Sequence, residues 1–160
     1  MTDFPRTLKH ITLWALLGTG VFLAVLAWQN QQRQTLFSAQ GGVIELRRAP
    51  DGHFHWPGSV NGVAVDFLVD TGATRTSLPA SLAQAARLPE EGRVQSSTAG
   101  GTVQGWTGRG DLQLQGGVRL QQLPLTVLPA LGTPLLGMDV LSRLRFSQAD
   151  GVLRLRPPTE

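Results

Sequence analysis

The chain has 160 residues, 41 % hydrophobic and 16 % charged, which excludes a wholly disordered polypeptide and leaves room for one modest domain plus an appendage. Cysteine is absent, so disulfide frameworks, thiol nucleophiles and Cys-ligated zinc are excluded together. The pI is near 11.0 but the formal net charge is only +3, because Lys9 is the only lysine and there is no tyrosine to titrate below the guanidinium range; the high pI therefore lends little support to nucleic-acid binding.

Residues 1–10 carry Arg6 and Lys9 against one acid, Asp3. Residues 11–28 (ITLWALLGTGVFLAVLAW) hold no charge, and as a helix would span about 27 Å, just enough for a bilayer's hydrocarbon core. Trp14 and Trp28 near the ends suit the membrane interface. Two basic residues precede the run and only Arg33 follows closely, which predicts a cytoplasmic 1–10 segment, a transmembrane anchor at 11–28 and a domain on the far side. Val25-Leu26-Ala27 offers the alternative of a cleaved signal peptide, although the run is longer than a usual signal core. A buried soluble helix fits less well, since the segment is apolar on every face. Residues 29–40 are polar and glutamine-rich and read as a linker.

From residue 41 to 158 the pattern is that of short strands and turns. Residues 43–47 alternate, Asp51-Gly52 is a turn signal, and residues 53–60 lead into Asn61-Gly62, the strongest short hairpin signal in the chain. An apolar strand follows at 63–69, then a helix at 79–88 that opens with Pro79 and stops before Pro89. Residues 94–106 bracket Gly100-Gly101 as a hairpin with a flexible tip. Strands are predicted at 111–114, 118–128 and 151–156, with a short helix at 138–144. No βαβ alternation occurs, so the fold class is all-β (mainly β) with two short helices, not a doubly wound sheet.

Chemistry concentrates in Phe67-Leu68-Val69-Asp70-Thr71-Gly72-Ala73, where an apolar strand runs straight into a carboxylate, a hydroxyl and a glycine. Burying an unpaired carboxylate is costly, so an acid at this place needs a partner or a purpose. Asp-Thr-Gly alone also suits an ordinary turn. Its hydrophobic lead-in and the downstream Leu135-Leu136-Gly137, just before a short helix, sharpen the signal.

Together with the hairpin Thr98-Ala99-Gly100-Gly101-Thr102-Val103 and Leu-Leu-Gly-Met-Asp-Val-Leu at 135–141, this segment resembles the retropepsin-like aspartic proteases, in particular their single-domain, membrane-anchored bacterial group. The resemblance covers residues 52–156. It implies a closed acid-protease half-barrel that pairs with a second copy as a homodimer, a peptide or protein substrate, and no cofactor, metal or nucleic acid. It also implies the bacterial inner membrane, with one pass and the catalytic domain in the periplasm. Asp70 would be catalytic, one from each subunit; Thr71, Gly72 and Ala73 would support the loop; Thr98, Ala99, Gly100, Gly101 and Thr102 would form a flap over substrate. Two carboxylates held close cannot both ionise easily, so the pair shares a proton, the known behaviour of aspartic proteases. The ionised partner can deprotonate a water while the other donates to the peptide carbonyl. The rival from another class is a peptide-binding or scaffold module that keeps the fold without turnover.

One departure from the family stands out. Retroviral members pair an acid just after the Asp-Thr-Gly-Ala segment with an arginine just after the downstream glycine; here those places hold Thr74 and Met138, so both charges are missing together. Arg75 is adjacent and could touch substrate or simply be solvated, and Trp106 could line the cleft or join the core. Other candidates are weaker. His53 and His55 would share a strand face but lack further metal ligands. Arg109-Gly110-Asp111 reads as a turn between strands. Ser77 and Ser81 have no histidine at informative spacing, which disfavours a serine hydrolase. Arg143, Arg145, Arg154 and Arg156 alternate with apolar residues as on a wet face; they could meet nucleic acid or anionic lipid, but no aromatic platform supports nucleic acid.

Overall fold

The structure, a computed structural model, describes residues 6–98 and 101–156. The side chains of 6–9, 26–35, 40 and 98 are not described, so Trp28, Ala99, Gly100 and the domain's last expected residues, Pro157 and Pro158, lie outside in whole or part. The chain divides into two compact units, residues 1–35 and 36–160.

The first unit is one helix, α1 (Arg6–Thr35). Its described side chains, 10–25, are exposed throughout, among them Ile11, Trp14, Leu17 and Phe22. Among the described residues no helix is long and apolar enough to cross a membrane. The expected linker at 29–40 differs from what is found: the helix continues to Thr35, and β1 (Phe37–Gln40) follows at once. Gln and Arg are good helix formers, so extending an existing helix through 29–35 costs little.

The second unit holds β1, β2 (Val43–Arg47), β3 (His55–Val60), β4 (Val63–Val69), β5 (Ser77–Leu78), α2 (Ala80–Ala85), β6 (Gly92–Thr98), β7 (Gly101–Leu114), β8 (Arg119–Val127), β9 (Leu135–Leu136), α3 (Met138–Leu141), β10 (Arg145–Ala149) and β11 (Val152–Arg156). Seven strands run in the order β3-β4-β9-β5-β8-β7-β6, and a further β3–β7 pairing closes them on themselves. The other four, β1-β2-β11-β10, form a wholly antiparallel sheet.

Local chemistry explains the main turns. Asn61 and Gly62 both take positive φ, 48° and 82°, and join Val60 to its partner Val63 in the two-residue hairpin that Asn-Gly favours. Asp51-Gly52 makes a turn but no hairpin: β2 and β3 belong to different sheets, and Asp51 Oδ1 accepts the His53 N–H to carry the chain between them. β7 is one 14-residue strand, where a hairpin over 94–106 and a separate strand at 111–114 were expected. Its glycines act as sites of close approach: a Cβ at Gly108 would collide with the Pro89 carbonyl, and one at Gly105 with the Val127 carbonyl. The helices are shorter than expected, and β10 falls on residues that the pattern left unassigned.

The core is contiguous. Trp56 and Phe67, cross-strand partners on β3 and β4, are fully buried, and the Trp56 Nε1–H donates to the Gln115 carbonyl at 2.9 Å. Truncating either to Ala would cost about 3–5 kcal/mol. Ile44, Leu46, Leu153 and Leu155 point inward from the four-stranded sheet into the same core, and their neighbours along β2 and β11 point out.

Candidate active site

β4 carries the apolar run to Val69, and the chain turns at Asp70. Two parallel rungs, Leu68–Leu135 and Val69–Leu136, set β4 beside β9. β9 pairs antiparallel with β5, which in turn runs parallel to β8. The Asp70 N–H donates to the Leu136 carbonyl at 3.0 Å, and the Val69 N–H to the Phe54 carbonyl at 2.9 Å. The backbone that presents Asp70 is thus anchored on both sides.

Asp70 itself is half-buried, as are Leu68, Val69 and Ala73, while Thr71 and Gly72 are exposed. The Gly72 N–H donates to Asp70 Oδ1 at 2.8 Å, and the Ala73 N–H to the Asp70 carbonyl at 3.3 Å. This fixes one carboxylate oxygen and leaves Oδ2 with no hydrogen bond among the described residues. The Thr71 hydroxyl likewise has none. A Cβ at Gly72 would stand 3.2 Å from Asp70 Oδ1, so glycine lets the carboxylate fold over its own turn.

The loop is tied to the segment around Gly137. A Cβ at Gly137 would lie 2.5 Å from the Arg75 carbonyl carbon, 2.7 Å from its oxygen and 2.9 Å from the Ala73 oxygen, so two backbones pass where only glycine fits. The Met138 N–H donates to the Ala73 carbonyl at 2.8 Å and the Asp139 N–H to the Thr74 carbonyl at 3.2 Å. Fully buried Thr76 completes the tie: its hydroxyl accepts from the Gly137 N–H at 3.2 Å and donates to Asp139 Oδ1 at 2.8 Å, which also accepts the Thr76 N–H at 3.0 Å. Neither Thr76 nor Asp139 stands out in the sequence alone. The available signal was an acid two residues past Gly137, in the first turn of a short helix. With no charges at Thr74 and Met138, the link between the two segments rests on these neutral and charge-assisted hydrogen bonds.

β6 and β7 pair from Gly92–Thr107 to Thr98–Gly101, so the glycine-tipped hairpin is formed as expected; Thr98 and Thr102 flank its end, and Ala99 and Gly100 lie outside the described residues. Trp106 sits at the hairpin's base, opposite Arg93 and Val127, half-buried against the core. Arg75 is exposed, and its carbonyl accepts the Ser77 hydroxyl at 3.1 Å.

The weaker candidates take structural places. Arg109 pairs with Glu91 at 3.3 Å, Gly110 is buried, and Asp111 accepts the Gln122 N–H at 2.9 Å, so Arg-Gly-Asp lies within β7 and not in a turn. Only His55 of the two histidines lies on a strand. Its Nε2 meets Asp51 Oδ2 at 2.8 Å and its Nδ1 lies 3.6 Å from Asp66 Oδ2. The His53 N–H and the His55 ring hold the Asp51 carboxyl below the usual carboxylate range. Among the described residues no cluster able to hold a metal ion is found.

A strand-borne Asp-Thr-Gly turn, hydrogen-bonded to a Leu-Leu-Gly strand in a closed β fold, defines an aspartic-type peptide hydrolase. Residues 56–143 match the family described as "gag-polyprotein putative aspartyl protease", and the chain belongs to it. A retropepsin-like aspartic protease from Rickettsia conorii is similar in structure, with 25 % identity, a TM-score of 0.60, and coverage of 76 % of this chain and 94 % of that one. The EIAV protease matches at 18 % identity and a TM-score of 0.48, over 55 % of this chain and 84 % of that one. No curated protein matches by sequence. The chain is an aspartic-type endopeptidase with a retropepsin-like fold.

Proposed function

We propose that the protein is a membrane-anchored endopeptidase in which two copies each contribute Asp70 to one catalytic pair, with residues 11–28 as the anchor and the domain in the periplasm. One observation carries the pairing: the chain has a single Asp-Thr-Gly turn, whose Asp70 leaves one carboxylate oxygen open beside an exposed Thr71 hydroxyl, while the anchor rests on the uncharged run 11–28. A second copy supplies what the turn lacks, a facing carboxylate and a partner for that hydroxyl. The ionised member of the pair removes a proton from water as the water oxygen bonds to the substrate's carbonyl carbon. The protonated member donates to the carbonyl oxygen. Collapse of the resulting gem-diol returns a proton to the amide nitrogen as the C–N bond breaks. The hairpin of β6 and β7, paired as far as Thr98 and Gly101, closes over the peptide.

The test is Asp70→Asn in the full chain, assayed on a peptide library with mass in solution measured alongside. Cleavage should fall about a thousandfold or more with fold and dimer mass retained. Undiminished cleavage sinks the assignment. Wild-type activity should trace a bell against pH, the signature of one acid and one base.

A further inference from the structure

The four-stranded sheet has an outer face that the catalytic reading does not use. Strand alternation fixes its composition, because Ile44, Leu46, Leu153 and Leu155 point into the core. Arg47, Arg154 and Arg156 then point outward from β2 and β11, and register places Arg145 of β10 directly opposite Arg156. Glu45 is the one acid on this face among the described residues, and it is engaged by Arg154 Nε at 2.7 Å. Four arginines against one glutamate give a local surplus of +3, as large as that of the whole chain. Like charges directly opposite on a sheet weaken it, so the Arg145–Arg156 pair is a cost that the fold alone does not explain. Ser38, Val43, Glu45, Arg154 and Arg156 also line a shallow polar depression on this face.

We propose that this face docks on the anionic lipid headgroups of the membrane that holds the chain, an inference that rests on residues 11–28 being an anchor. Charge complementarity selects the occupant. A second copy related by a twofold axis would set four arginines against four. The cations are spread over three adjacent strands, about 10 Å across, which suits a planar array of phosphates. β1 begins nine residues after residue 28, where the proposed anchor ends, so a short connection holds the domain at high effective concentration near the headgroups.

The test uses the full chain in nanodiscs of zwitterionic lipid, with or without about one-third phosphatidylglycerol, where the anionic surface attracts arginine only within a Debye length. Phenylglyoxal modification of individual arginines is followed by mass spectrometry. In anionic discs at low salt, Arg145 and Arg156 should react about tenfold more slowly than in zwitterionic discs, while exposed Arg119 on β8 is unchanged; high salt should abolish the difference. Equal rates in the two lipids, or equal slowing of Arg119, overturn the proposal. So does slowing that follows protein concentration in both lipids, which would put a second copy on the face. Failure of the chain to enter either disc would defeat the anchor reading separately. Flotation of the same chain with anionic vesicles at low salt then decides: binding that weakens about tenfold or more in Arg145→Gln/Arg156→Gln supports the face, and binding equal in the two overturns it.

Discussion

The turn that carries Asp70 and the hairpin of β6 and β7 are built in opposite ways from similar residues. Both are rich in Gly and Thr. The Asp70 turn is gripped from its own side chain, from Leu136, and from the Gly137–Thr76–Asp139 cluster, and its closest neighbours are backbone atoms that cannot move aside. Among the described residues the hairpin beyond Gly105 pairs only with itself: β6 is an edge strand, and the β7–β8 ladder begins at Trp106. The proposed mechanism needs a carboxylate held within tenths of an ångström and a cover that opens, and these two regions differ in what surrounds their glycines.

The sharpest way to break the contrast is Gly137→Ala. Its methyl meets the Arg75 and Ala73 backbones, so we expect a loss of about 3 kcal/mol or more in unfolding free energy and near-complete loss of cleavage, read by chemical denaturation and a peptide assay. Thr76→Val keeps the volume but strands the buried Gly137 N–H and leaves Asp139 Oδ1 with only the Thr76 N–H; it should cost about 2 kcal/mol, and a change within error would show the cluster to be dispensable. Gly101→Ala, at φ 109°, strains the hairpin by about 1 kcal/mol, and it should change KM or kcat severalfold while barely moving the melting temperature. An equal fall in stability for Gly101→Ala and Gly137→Ala would erase the distinction. The smallest effect lies outside both regions. Asp51 is stabilised in its charged form by the His53 N–H and by His55, so its contribution is complete above the ordinary carboxylate range and is lost as pH falls through its lowered value. Asp51→Asn should flatten the acid limb of the stability–pH curve by a small amount.

What the sequence showed well was local. Asn61-Gly62 and the Asp70 turn each declare themselves within a few residues, because their geometry depends on their own backbone. The Thr76–Asp139 contact spans 63 residues and joins two short segments with no periodicity, so nothing adjacent in sequence marks it. β10, Arg-Phe-Ser-Gln-Ala, is an edge strand whose five residues are all exposed, and it has no apolar alternation to read. In β7, Gly105, Gly108 and Gly110 look like turn punctuation, yet the strand needs them because Val127, Pro89 and Leu88 press against it. The extension of α1 through 29–35 was hidden by composition, since a glutamine-rich stretch serves equally as tether or helix.

The pairing of two Asp70 carboxylates can be tested without a structure of the dimer. Wild-type and Asp70→Asn chains are mixed one to one in detergent, allowed to exchange, and assayed at fixed total concentration. If cleavage requires both carboxylates, only pairs of two intact chains work, and about one quarter of the wild-type rate remains. Retention of about one half would mean that each chain cleaves alone, and would contradict the account.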